Sequence, residues 1–163
     1  MDVQDLNGRA VVSIQQAEKL GAIEDVFVDV AQHRLGGLLL KGNLLHSGPA
    51  INWSCVRSVG VDAVMVDAND AAGSMSEGEQ AELTRLHALR GMRVVTDDGE
   101  LIGTISSIEA EDDSGRITGY LADLGTGNLL HRSTRLKVPP AAIKGVGKDI
   151  MTVDARVADF QRE

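Results

Sequence analysis

The chain has 163 residues, 43% hydrophobic and 25% charged, within the normal range for a packed globular protein. Its formal net charge of −8 disfavours a general affinity for phosphate backbones or anionic lipid. Aromatics make up 2%, so a core has to come from Val, Ile, Leu and Ala, and the single cysteine, Cys55, excludes an intrachain disulfide or a one-chain thiolate cluster.

In chain order, Arg9 to Ser13 reads as a short strand, followed by a polar connection to Gly21. Ile23 to Val30 alternates at period two, the mark of a strand with one buried face. Gln32-His-Arg34 turns into a partner strand, Leu35 to Lys41, whose Gly36 and Gly37 predict a bulge or sharp bend. Short strands are expected at Ile51–Ser54 and Ala63–Asp67, with turns between them. Asn69 to Met75 is small, polar and Gly-containing, and reads as a linker. Ser76 and Glu79 have capping-box spacing, and Leu83, Leu86 and Leu89 follow at helix-like spacing, which predicts one short helix over about 76–88.

From there the chain repeats itself. Leu6-Asn-Gly-Arg-Ala-Val-Val12 returns as Leu89-Arg-Gly-Met-Arg-Val-Val95, Lys19-Leu-Gly21 as Leu101-Ile-Gly103, and Gly42-Asn-Leu-Leu-His46 as Gly127-Asn-Leu-Leu-His131. Ala63 to Asp67 is matched by Ile150 to Asp154. Offsets this regular describe tandem copies, with a first unit at 1–68, a linker with its helix at 69–88, a second unit at 89–157 and a tail at 158–163. Each copy is near the lower size limit for an independent core, so the copies are expected to bury surface on each other or on another chain.

These residues resemble the PRC-barrel family, twice over. The resemblance rests on the leading Leu-x-Gly-x-x-Val-Val, the Ile23…Val26 and Ile105…Ile108 strands, the Lys137-Val-Pro-Pro140 stretch and a final short strand. Asn52-Trp-Ser-Cys55 lacks the proline of the second copy, so the first copy matches less well. The resemblance implies an all-β protein of two small bent barrels, about six strands each, joined by a short helix. The family resembled includes the cytoplasmic domain of the photosynthetic reaction-centre H subunit and the C-terminal domain of a ribosome-maturation factor. It implies a binding or assembly module and supplies no catalytic residues to carry over. Neither a membrane helix ahead of the barrel nor a maturation-factor N-terminal domain is expected from these residues.

Several residues are candidates for chemistry. His46 and His131 occupy equivalent places, and two imidazoles meeting across a pseudo-twofold axis would bind a metal or sense pH. Without carboxylates or thiolates beside them, the simpler reading is two similar turns, and neither metal nor cofactor is expected. Arg132, Arg135, Lys137, Lys144 and Lys148 form a basic run with no acidic residue between Asp123 and Asp149. It reads as a docking patch for an acidic partner or RNA, or as a solvated rim, since no aromatics interleave to stack bases. Glu109, Glu111, Asp112 and Asp113 lack the spacing of a calcium loop, and Gly145-Val-Gly-Lys148 lacks that of a phosphate loop. Cys55, beside Trp53, reads as buried rather than reactive.

The sequence therefore leads to a non-enzymatic interaction or adaptor module with protein partners, another copy of itself included, rather than nucleic acid. The alternatives are a ribosome- or RNA-associated factor and a small-ligand or metal-binding barrel. No apolar run approaches the ~18–20 residues that span a bilayer. The acidic start, Met1 to Asp5, is unlike a signal peptide, so a cytoplasmic protein is expected.

Overall fold

The computed structural model describes residues 1–124 and 135–156. His131, Arg132 and the tail 158–163 lie outside these residues. The protein is mostly β. The first copy holds β1 (Ala10–Ser13), β2 (Lys19–Asp29), β3 (Arg34–Leu40), β4 (Ala50–Asn52), β5 (Val56–Val59) and β6 (Ala63–Val66). Next come α1 (Glu77–Ala81), β7 (Thr84–Arg85) and α2 (Leu86–Leu89). The second copy holds β8 (Arg93–Thr96), β9 (Leu101–Ala110), β10 (Ile117–Asp123), β11 (Arg135–Val138), β12 (Ile143–Val146) and β13 (Ile150–Val153).

The two sheets have one strand order, β4-β3-β2-β1-β6-β5 and β11-β10-β9-β8-β13-β12. In both, the first and last strands of the copy pair in parallel, β1 with β6 and β8 with β13, and the other described pairs are antiparallel. Their irregularities coincide too. Leu20 and Ile102 are bulged out of equivalent ladders, as are Glu24 and Ser106, Gly36 and Thr118, and Arg57 and Lys144. A bulge adds a residue on one strand and sharpens the twist, which is how a short sheet bends tightly. The predicted bulge at Gly36–Gly37 is present, but Thr118 fills the same role, so bulging does not require glycine. Close packing does: a Cβ on Gly36 would sit 2.6 Å from Leu83 Cδ1, and one on Gly37 would strike the Ile51 carbonyl.

The predicted single helix over 76–88 is broken. Its start is as expected, with Ser76 Oγ accepting from the Glu79 backbone amide at 3.2 Å. The helix stops because β2 outruns β1 and leaves backbone groups open along Phe27 and Val28, and Thr84–Arg85 pair antiparallel there. The Arg85 guanidinium then lies 5.9 Å from the Phe27 ring centroid. The segment read as a linker is likewise packed: Ala71 and Met75 are buried, and Gly73 N and Met75 N both donate to the Ala50 carbonyl.

β7 and α2 lead into the second copy yet pair with the first. The reverse also holds. Asp2 bridges to Glu109 of β9, and the Met1 ammonium and Ala110 amide exchange bonds of 3.0 Å with the opposite carbonyls. The turn Val3–Leu6 and helix α2 therefore occupy equivalent positions, each packed on the long central strand of the other copy. Val3, Leu6, Leu86 and Leu89 are all at most 1% exposed. One continuous apolar core takes in residues of both copies, from Val3 to Val153, and so supplies the burial that neither copy supplies alone.

The hairpin turns meet at the pseudo-twofold centre. Leu35 N donates to the Gly115 carbonyl at 2.8 Å and Ile117 N to the His33 carbonyl at 2.9 Å, an exchange made between equivalent residues. Arg34 and Arg116 face each other across it. His33 and Gly115 both have positive φ, 52° and 74°. The His33 Nδ1 is 2.9 Å from the hydroxyl of Tyr120, a fully buried side chain of β10.

Candidate functional site

The linking segment builds a cleft against the first copy. Met75 is buried over Gly37, Ser76 caps α1, and α1 places Glu79 and Glu82 along one wall. The facing wall is the β2–β3 turn with Asp29, Gln32 and Arg34, and the end of β4 adds Asn52 and Trp53. The cleft measures about 390 Å³, and Leu35, Met75 and Leu83 line it beside Trp53. Glu79 is held in place, one carboxylate oxygen accepting from Ser76 Oγ at 3.2 Å and the other from Asn52 Nδ2 at 3.3 Å. Asp29 accepts from the Gln32 amide, while Arg34 makes no ion pair among the described residues.

Trp53 is 7% exposed, yet its indole N–H meets no acceptor among the described residues. Every fully enclosed side-chain polar atom among those residues has a partner, so this N–H retains access to solvent. The edge of the ring packs on Gly115, where an added Cβ would lie 2.5 Å from Nε1.

A second cleft, about 270 Å³, lies where α2 crosses β2, lined by Asn7, Glu24, Asp25, Arg85, His87 and Arg90. Asp25 is 6% exposed and stitches the elements together, its Oδ1 accepting from Val26 N at 2.8 Å and His87 N at 3.3 Å.

The predicted basic run is dispersed. Arg135 lies 3.4 Å from Asp123 and 3.6 Å from Asp2, Lys137 is 2.7 Å from Glu109, and Lys144 is 2.7 Å from Asp97. Lys148 is exposed in the turn before β13. Arg135 and Lys137 share the outward face of β11 and Lys144 lies on β12 at the opposite end of the sheet, and each of the three faces its own carboxylate. The acidic loop is similarly engaged: Arg116 and Ser114 hold the Glu111 carboxyl below the usual carboxylate range. His46 is exposed in the β3–β4 loop, its amide donating to Asn43 Oδ1 at 2.9 Å, and its counterpart His131 is outside the described residues. No group of three or more metal-ligating side chains occurs among the described residues. Cys55 is only partly buried.

The sequence reading missed the cleft residues because they come from three separate stretches, about 29–36, 52–54 and 75–83, that only the topology assembles. One signal was available: Trp53 is the only tryptophan in a chain with 2% aromatics.

One strand order used twice, coincident bulges and reciprocal leading segments define a tandem all-β protein made from a duplicated bent-sheet domain. That domain is the PRC-barrel domain: its family model matches residues 1–72 and 82–159, and the chain belongs to this family. No curated protein matches the chain. Among solved structures it is similar to a putative 16S ribosomal RNA processing protein, RimM, from Pseudomonas aeruginosa. The identity is 18%, with 83% of this chain and 79% of that chain covered and a TM-score of 0.36. No helix among the described residues is long and apolar enough to cross a membrane.

Proposed function

We propose that this chain is a non-enzymatic interaction module whose partners are proteins. The observation that supports this most is the cleft beside α1, an apolar floor under a charged rim that is set in place by a capping box and by packed linker residues. Such a surface suits docking, since apolar burial supplies affinity and rim charges steer the encounter. The alternative of an RNA-facing surface draws on the basic run, where Arg135, Lys137 and Lys144 already face carboxylates.

Affinity capture with the purified chain, followed by hydrogen exchange on the isolated complex, tests the proposal. The expected result is one specific protein partner with added amide protection in residues 29–36 and 75–83. Turnover in an activity screen together with no specific partner would overturn it.

A further inference from the structure

The lining of the α1 cleft also specifies what it accepts. We infer that it binds an extended protein segment carrying a lysine or arginine side chain, an inference that rests on the interaction-module reading. Asp29, Glu79 and Glu82 line the cleft against a single guanidinium, Arg34, so a cationic group is favoured at the rim. Beneath the rim lie Leu35, Trp53, Met75 and Leu83. A long basic side chain has that same division, an apolar stem with a charged head, and lays the stem on apolar surface while the head stays at the rim.

A phosphate group meets the repulsion of these three carboxylates, so the cleft selects against it.

The two copies fill the corresponding face differently. In the second copy Lys137, on β11, lays its stem across Gly119, the counterpart of Gly37, and its Nζ reaches Glu109 at 2.7 Å. In the first copy the residue registered at that place on β4 is Ala50, and the face is left to Met75 and the cleft. Glu111, the counterpart of Asp29, is tied to Arg116 at 2.5 Å, whereas Asp29 makes no ion pair among the described residues. Glu109, which holds Lys137, has Phe27 as its counterpart, so the carboxylate that the first copy leaves without an ion pair among the described residues is Asp29.

Trp53, the only tryptophan, reports directly on the cleft. The probes are the blocked peptide Ac-Ala-Lys-Ala-Lys-Ala-amide and its norleucine and glutamate counterparts, titrated into the full chain while Trp53 emission is followed. The lysine peptide is expected to give a saturable change that weakens at least about tenfold between 50 and 500 mM salt. Norleucine and glutamate peptides are expected to give none. The double variant Glu79→Gln and Glu82→Gln, both exposed and both keeping hydrogen-bonding ability, is expected to lose about tenfold or more in affinity with an unchanged circular dichroism spectrum. Arg34→Ala is expected to bind more tightly.

Equal binding of the norleucine peptide, or no saturable change at millimolar peptide, would overturn the inference. So would self-association that the lysine peptide displaces, which would assign the cleft to a second copy. If a captured partner stays bound to the Glu79→Gln, Glu82→Gln variant, the interaction-module reading stands and the cleft assignment falls.

Discussion

The two copies share a backbone plan down to their bulges and differ in how side chains close the same gaps. At the two helix–strand crossings a carboxylate satisfies equivalent backbone amides, those of Gln4 and His87. In one crossing it is Asp2, from the leading segment, which also takes a bond from Ser107 Oγ; in the other it is Asp25, from the strand itself. The required hydrogen bond is preserved while the residue supplying it changes element. The hairpin turns behave alike, with His33 and Gly115 in the same left-handed conformation. Constraints on the backbone are thus held in common, and the copies diverge in the side chains that meet them. The α1 cleft is one such divergence: in the second copy Lys137 covers Gly119 and Glu111 is tied to Arg116, whereas in the first Met75 covers Gly37 and Asp29 makes no ion pair among the described residues.

The reciprocal packing of leading segments is the feature whose loss costs most. Leu6→Ala and Leu89→Ala remove equivalent fully buried side chains, and each is expected to cost about 2–5 kcal/mol. Since both lie in the shared core, each should lower a single transition of the whole protein. Urea unfolding followed by Trp53 emission and by far-ultraviolet circular dichroism tests this. Separate midpoints for the two probes in either variant would show that the copies are independent bodies.

The duplication and the strands were legible because they rest on local backbone demands: period-two alternation, and Leu-x-Gly-x-x-Val-Val stated twice. The helix was misread for the same reason. Ser76, Glu79 and the leucines at 83, 86 and 89 are honest local helix signals, but only the tertiary pairing shows that β2 has an open edge at Phe27 and Val28. The packing of the linker was not legible because small polar residues look alike whether solvated or packed. Here the Ala50 carbonyl accepts from two of their amides. The cleft was the least legible part: Arg135, Lys137 and Lys144 are close in sequence and face separate carboxylates, whereas Asp29, Trp53 and Glu79 are far apart in sequence and gathered around one cleft.

Next in size come the positions where the copies solved one problem differently. Asp25→Ala strands the Val26 and His87 amides and is expected to cost about 1–3 kcal/mol by urea unfolding. Gly115→Ala sets a Cβ 2.5 Å from Trp53 Nε1 at a positive φ, so it is expected to lose more than about 1 kcal/mol. Full stability in the Gly115→Ala variant would mean that the turn and the Trp53 ring can move apart, and that the cleft floor is softer than drawn here.

Tyr120 marks a smaller asymmetry, since Leu38 holds its place in the first copy. Tyr120→Phe removes the bond to His33 Nδ1 and is expected to cost about 0.5–1.5 kcal/mol near neutral pH. Burial, with Asp29 adding to it, pushes the phenol above its ordinary value of 10.0. The folded state therefore keeps this proton after the unfolded state has released it, so stability falls as pH rises past about 10. A comparison of melting temperatures from pH 8 to 11 should show the parent declining more steeply than Tyr120→Phe. Parallel curves would place the phenol in contact with water.

The smallest expected effect is confined to acid. In the second copy, Asp154 is depressed to about 2 by Arg156, and Asp97 is lowered by Lys144 and the Ala155 amide. Glu111 is lowered by Arg116 and Ser114. A depressed folded-state pKa stabilises the protein above the unfolded value, near 4 for a carboxyl, and the contribution is lost as pH falls through the folded value. Asp97 is exposed and Glu111 and Asp154 are partly exposed, so solvent screens all three and each contribution is slight. Replacing Asp97, Glu111 and Asp154 together with their amides should still flatten the fall in melting temperature between pH 5 and 2 at low salt. The same replacement should do nothing at 1 M salt, where the Debye length is about 3 Å. An unaltered acid slope at low salt would mean that these pairs form no more often in the folded chain than in the unfolded one.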